Sequence, residues 1–372
     1  VKLALRELRR RPGRFLTAGA ILTLIAILVM LFGGILDGLI NNSTGGVRAQ
    51  RGDVIVFSSQ SKESFLRSRI DTELRARIDA VAEVGESGGI GIVQLGARLP
   101  GAGVRDLVDT VLFGYEIAPA GLPATPLPDG VVYADETLRD QGVETGMVLL
   151  LGPARSPVTV SGFVSGTNYL GQGSLWGAPS TWKSVLTANR PDEILPAGTF
   201  QSLVVTAAPG TSAASLAAAI DGATAGATTT LGVAAAADAL PGVKEQRGTF
   251  NQIINTIVFV ALVVVALFFA LLTIERMGLY GVLKAIGASS LVLFVGLLAQ
   301  AWVVTASACA IAGGLSVLLD VTVPDGAFPF EMSVGRFATS TAVLLVASAI
   351  GCAFSLRRVL KVDPASAIGG SL

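Results

Sequence analysis

The side chains that most often carry chemistry are thinly supplied in this sequence. The 372-residue chain has no histidine, and its two cysteines, Cys309 and Cys352, both sit inside long apolar runs. The commonest general base and metal ligand is therefore missing, together with every Ser-His or Cys-His nucleophile pair. No lysine follows a glycine, so a G-x-x-x-x-G-K-[ST] phosphate loop is absent and the chain is not expected to hydrolyse ATP itself. The acids Asp135, Glu136, Asp140 and Glu144 are spread along a turn and a helix-like stretch, as solvated charges are, and suggest no carboxylate pair. What remains is chemistry of recognition. In "IERMGLYGVLKAIGASS", Ile274 to Ser290, the charges of Glu275, Arg276 and Lys284 accompany Leu279, Val282, Leu283 and Ile286 at helical spacing. Such a stripe fits docking on a partner or resting on a membrane interface. Gly278, Gly281 and Gly287 allow close approach or a bend.

The elements that must position this stretch are membrane spans. Uncharged blocks of spanning length occur at "FLTAGAILTLIAILVMLFGGIL", around "IINTIVFVALVVVALFFALLTI", from Ala285 to Leu319, and at "FATSTAVLLVASAIGCAFSL". Each matches the roughly 20 residues that a bilayer core demands of a helix. The first apolar run exceeds the h-region of a signal peptide and lacks a following small-x-small site, so it reads as a retained anchor. Basic residues fix the orientation: Lys2, Arg6, Arg9, Arg10, Arg11 and Arg14 precede the first span, Arg276 and Lys284 separate the second and third, and Arg357, Arg358 and Lys361 follow the fourth. All three clusters share the cytoplasmic side when both termini are inside.

The expected fold is an α-helical membrane protein with four transmembrane helices and a large mixed α+β extracytoplasmic domain between the first and second. The divisions are 1–14 (cytoplasmic), 15–40 (first span), 41–248 (outer domain), 249–274 (second span), 275–288 (cytoplasmic elbow), 289–319 (third span), 320–336 (outer loop), 337–356 (fourth span) and 357–372 (tail). The outer domain shows strand patterns at "DVIVF", "GIGIVQLGARL", "DTVLFGYE", "GVVYAD", "MVLLLG", "PVTVSGFV" and "QSLVVTA". Helices are expected at "DTELRARIDAVAEV", capped by Asp71, and at "STWKSVLTANR", capped by Ser180. The alanine-rich tract from Thr211 to Leu240 reads as peripheral, because its apolar groups are small. Net charge is zero, and no nucleic-acid partner is expected.

The stretch "GLYGVLKAIGAS", the start "LALRELRRRPGRFL" and the end "LKVDPASAIGG" together resemble the FtsX/MacB superfamily of ABC-transporter permeases. Within it, "RGDVIVFSSQSKESFLRSRID", "GVVYADETL" and "GTNYLGQGSLWG" look most like the DevC/HrtB-type permeases. The resemblance implies a homodimer in the bacterial plasma membrane, carried by two copies of a separate ATPase that holds ATP and Mg. It makes 275–288 the coupling helix, with Glu275, Arg276 and Lys284 in polar contact and Leu279, Val282, Leu283 and Ile286 as docked face. It lays "VKLALRELRRR" along the inner membrane surface, with Val1, Leu5 and Leu8 toward lipid. The mechanism implied is mechanotransmission, in which ATPase closure moves the spans and the outer domains follow, and no covalent cofactor is needed.

HrtB-type permeases export haem, which makes haem the foremost hydrophobic substrate. Without histidine, Met30 is the candidate axial ligand, two copies meeting at a dimer axis. Arg247, Arg48 and Arg51 are candidates to pair with propionates, and Tyr169 and Tyr115 are further candidate ligands. Two alternatives stand beside this reading: an exporter of another lipid, peptide or antibiotic, and an FtsX-like regulator of a cell-wall hydrolase that transports nothing.

Overall fold

A computed structural model of the chain describes residues 12–103, 105–124, 127–193, 195–275, 278, 282–283, 286–287, 289–322 and 328–360. The expected amphipathic helix at 1–11 and the tail beyond 360 lie outside the described residues, as do Arg276, Leu279 and Lys284. In chain order the elements begin with α1 (Pro12–Arg48), β1 (Val54–Ser58), α2 (Thr72–Asp79), β2 (Val84–Arg98) and β3 (Leu107–Tyr115). Next come β4 (Val131–Asp135), β5 (Val148–Leu151), β6 (Ser156–Val164), β7 (Gly173–Gly177) and α3 (Pro179–Asn189). The chain continues with β8 (Ser202–Ala207), α4 (Ala213–Ala223), β9 (Thr228–Gly232) and α5 (Val233–Asp238), then α6 (Val243–Glu275), α7 (Ser290–Thr322) and α8 (Val334–Leu360). Two compact units result, one of residues up to Gly38 and from Gly248 onward, the other from Leu39 to Arg247.

The first unit is a helical bundle. Among the described residues, four helices are long and apolar enough to cross a membrane: Leu16–Arg48, Val243–Glu275, Leu291–Thr322 and Val334–Phe354. Helix is the form that satisfies every backbone N–H and C=O internally where water is absent. The helices outrun the hydropathy limits. α1 continues through "NNSTGGVR", and α6 starts at Val243 rather than Thr249, because loss of lipophilicity does not end a helix.

Two apolar layers hold the bundle. Leu22 packs with Val265, Phe269, Leu272, Leu293, Leu297, Ala301 and Cys352. Ile25, Ala26, Val29 and Met30 pack with Ala261, Cys309, Ala312 and Leu344. Both cysteines are buried and free, as packing residues. Small residues set the spacing: a Cβ at Gly351 would lie 3.0 Å from the carbonyl oxygen of Leu262, so α8 and α6 nearly touch by their backbones. Leu24, Phe259, Leu267, Leu271 and Val346 face outward, the surface that lipid requires.

The second unit is built on one nine-stranded mixed sheet. The long strand β2 is shared by two parts. From Val84 to Ile90 it pairs with β8, and at Ala97 and Arg98 it pairs with β5. Its other edge pairs with β3 from Ile90 to Arg98. The pairings β2, β3, β7, β4, β6, β5 and back to β2 therefore close a six-stranded circuit. β8, β1 and β9 extend from β2 as an open sheet. Closure removes edges that would otherwise present unpaired backbone groups.

Local sequence explains the helices on this sheet. Asp71 caps α2 by accepting from the Leu74 amide at 2.8 Å. Leu74 and Ile78 of α2 and Leu216 and Ile220 of α4 meet Val54, Val56, Leu203 and Val205 in one core. The alanine-rich tract is thus not peripheral: Leu216 and Ile220 are fully buried and Thr228–Gly232 is a strand. The few large residues, not the mean composition, decide where such a segment packs. Ser180 is not a cap either. α3 begins at Pro179 after Ala178, proline's fixed φ suiting the first turn, and the Ser180 hydroxyl donates to Asp129.

Glycines shape the barrel around Trp182, which is fully buried and stacked on Phe200 at 6.0 Å. A Cβ at Gly91 would stand 2.2 Å from Trp182 Cε2, and one at Gly114 2.5 Å from its Cβ. Gly91→Val is therefore expected to destabilise the inter-span domain by about 3 kcal/mol. Limited proteolysis of the full chain across a temperature series checks this. Survival of the domain equal to the parent's would show that Trp182 can move aside.

Candidate functional site

In the connection between α6 and α7 the described residues are 278, 282–283, 286–287 and 289. The Ile286 amide donates to the Val282 carbonyl at 3.0 Å, one helical bond. Gly287 follows at φ +101°, a conformation that side chains disfavour and that breaks the helix. Ser289 then caps α7, its hydroxyl accepting from the Val292 amide at 3.3 Å. The apolar stripe divides here. Ile286 is 79% exposed and Val282 47%, whereas Leu283 packs against the bundle layer of Leu293 and Leu297. Glu275 ends α6 exposed. Val282 and Ile286, four residues apart, form an outward apolar pair.

The substrate candidates fall in both units. Met30 is completely buried among Val29, Ala261, Cys309, Ala312 and Leu344 of the same chain. A substrate reaches its thioether only if covering helices move. In the second unit, Arg48 donates to Asn41, Arg247 pairs with Asp238 at 2.6 Å, and Arg51 is exposed. Tyr169 is a core residue, its ring edge-on to Phe65 at 6.2 Å and to Phe113 at 5.5 Å. Burial raises its phenol pKa above the ordinary value, and burial, then Tyr133, raises that of Tyr115. Neither phenol is poised to ionise. Among the described residues, no group of three or more Cys, Asp or Glu is arranged to hold a metal ion.

One constellation is only half signalled in the sequence. Asp135, read there as a solvated charge, is fully buried at the end of β4. Its Oδ1 accepts from the Thr137 amide and hydroxyl at 3.0 and 2.8 Å, and its Oδ2 from the Thr167 amide and hydroxyl, both at 2.7 Å. The Asp-x-Thr spacing was the available signal for half of this; Thr167 is too distant in sequence to be found. The same loop grips α1. The Gly46 amide donates to the Asn168 carbonyl at 2.9 Å, and Leu170 and Gly171 donate to the carbonyls of Ser43 and Asn42. A Cβ at Gly45 would come within 2.5 Å of the Gly166 oxygen. Residues 39–48 of α1 are thus part of the inter-span domain's own packing. Gly45→Val is expected to release them, read as faster amide exchange at 42–48 and 166–171; unchanged exchange would contradict this contact.

Comparison with known proteins matches part of the chain. The family model for the FtsX-like permease C-terminal region matches residues 253–364, which take in α6 from its fourth turn, the turn at Val282–Ser289, α7 and α8. "Putative hemin transport system permease protein HrtB" of Staphylococcus haemolyticus is 30% identical over 133 residues, 36% of this chain and 38% of that protein. An uncharacterized ABC transporter permease of Mycobacterium tuberculosis is 38% identical over 112 residues, 30% of this chain and 31% of that one. The chain therefore covers well under half the length of either relative. The crystal structure of the periplasmic region of MacB from Actinobacillus actinomycetemcomitans is similar over 50% of this chain and 92% of its own, at TM-score 0.35 and 12% identity. Residues 253–364 thus match the FtsX-like permease C-terminal model, and the chain, with four helices among its described residues long and apolar enough to cross a membrane, is similar to ABC-transporter permeases over 30–36% of its length.

Proposed function

We propose that this chain is the permease subunit of an ABC-type efflux pump, working as a homodimer with two copies of a separate ATPase. The turn between α6 and α7 is the coupling contact, Val282 and Ile286 entering the ATPase groove with Arg276 and Lys284 as polar partners. The observation that carries this reading is the exposed apolar pair at a short helical turn between two spans, in a chain with no phosphate loop of its own. In the proposed orientation both termini and this turn are cytoplasmic, and the inter-span domain is outside. Force applied at the turn travels along the spans by mechanotransmission.

Haem is the proposed substrate, supported by the likeness to the HrtB relative. Met30 is the proposed thioether ligand from each copy, and Arg48, Arg51 and Arg247 are the candidates to pair with propionates. Met30→Ala is expected to abolish thioether ligation in the visible spectrum of the haemin-titrated complex and to lower haem resistance of cells about tenfold, the loss of one iron ligand. Unchanged spectrum and resistance would turn the reading toward another lipophilic substrate.

A further inference from the structure

Beyond Met30, the same face of α1 is crossed by a strap. Residues 328–333 precede α8 and run against Gly34 and Gly38 of α1, while Arg336 of α8 lies against Gly33. A Cβ at Gly34 would lie 2.4 Å from Phe330 Cε2, one at Gly38 2.4 Å from the Pro329 oxygen, and one at Gly33 2.8 Å from Arg336 Cδ. The strap is also hydrogen-bonded down. The Glu331 amide donates to the Gly34 carbonyl at 3.1 Å, and the Met332 amide to Asp320 of α7 at 3.3 Å. Met332 and Phe337 pack on the same apolar layer as Met30.

At its end the strap is fastened by charge. Arg336 meets Asp37 with both forks, Nε donating to Oδ2 at 2.6 Å and Nη2 to Oδ1. Asp37 lies seven residues beyond Met30, two helical turns along the same face. Both side chains of the pair stay partly exposed, so the pair can open into solvent without stranding a buried charge. A spanning helix gains nothing from three glycines unless close approach is used, because each weakens the helix. Here all three serve one contact.

We propose that residues 328–336 are a closable strap over the Met30 face of the first span, latched by the Asp37–Arg336 pair. With the latch made, as here, the thioether is sealed; with it open, α1 is free to part from α8 and the face admits a lipophilic molecule. The inference rests on the proposed movement of the first span, not on which substrate is carried.

The test uses the full-length protein in vesicles, without ATPase or substrate. Met30→Cys is introduced into the chain with Cys309→Ala and Cys352→Ala, and its labelling by a membrane-permeant maleimide is timed. Labelling is expected to be slow with the latch intact and about tenfold faster or more with Asp37→Asn or Arg336→Gln, the factor attached to a lost charge-assisted hydrogen bond. The exchange Asp37→Arg with Arg336→Asp is expected to restore slow labelling, which a merely unfolded variant would not do. A second measurement joins Gly34→Cys to Phe330→Cys by oxidation, which should hold labelling slow even with Asp37→Asn. Equal rates in all backgrounds, or fast labelling through the cross-link, would overturn the strap. Haem spectra stay out of the readout, so failure of the haem reading leaves this result standing.

Discussion

On the proposed coupling role of the turn, Ile286→Asp is expected to separate the chain from a partner ATPase while leaving the membrane bundle assembled. The reason is the division of the stripe between Val282 and Leu283. An isoleucine that is 79% exposed at a tight turn contributes nothing to the chain's own core, so its apolar surface is available to a partner. Burying it in a groove is worth about 1.5–3 kcal/mol. An aspartate there forfeits that gain and adds a desolvated charge, together about 3 kcal/mol or more and a loss of at least roughly 100-fold in affinity.

Co-purification of the proposed ATPase partner with the solubilised chain, beside gel filtration of the chain alone, measures the two effects separately. The control is Leu283→Asp, which places a charge against Leu293 and Leu297 of the bundle. That variant is expected to lose the bundle as well as the partner. If Ile286→Asp kept the ATPase bound and coupled activity intact, the turn would instead be resting on the membrane interface.

The two residues show what periodicity can and cannot reveal. Leu279, Val282, Leu283 and Ile286 share a helical stripe, and the stripe was legible because apolar spacing survives in any amphipathic turn. Which edge of it faces the neighbouring spans depends on helix rotation, a tertiary quantity that spacing does not contain. The four spans were legible for a stronger reason: lipid demands long uncharged runs, and little else produces them. Within the inter-span domain, strands with branched residues such as Val54–Phe57 were readable, whereas Gly173–Gly177 and Thr228–Gly232 were not. Those two strands hold their place by pairing with partners distant in sequence, β7 between β3 and β4 and β9 beside β1. Nothing in the spacing of Asp320, Asp37 and Arg336 marks them as neighbours in the fold. Their meeting required the strap to fold back along glycines whose purpose a sequence does not state.

Asp135→Ala is expected to be the most destabilising single change in the inter-span domain. The carboxylate is fully buried and accepts four hydrogen bonds, from the amides and hydroxyls of Thr137 and Thr167. The donors form a directed chain. The Trp176 ring N–H donates to the Ser174 hydroxyl at 2.7 Å, that hydroxyl to Thr167 Oγ1 at 2.7 Å, and Thr167 to Asp135. Removing the terminal acceptor strands the buried Thr167 amide and the part-buried Thr137 amide and reverses or orphans every hydroxyl behind it.

Each stranded group costs about 1–3 kcal/mol, so the sum is about 3–5 kcal/mol, a fall in the domain's Tm of roughly 6–20 °C. Asp135→Asn should cost nearly as much, because its NH2 faces donors where an oxygen accepted. The damage should spread to α1, since the loop that loses Asp135 also carries the Asn168 carbonyl that receives the Gly46 amide. Hydrogen exchange at 42–48, followed with thermal unfolding of the full chain, tests both parts. A variant that melts with the parent and protects those amides equally would show that water replaces the carboxylate without loss.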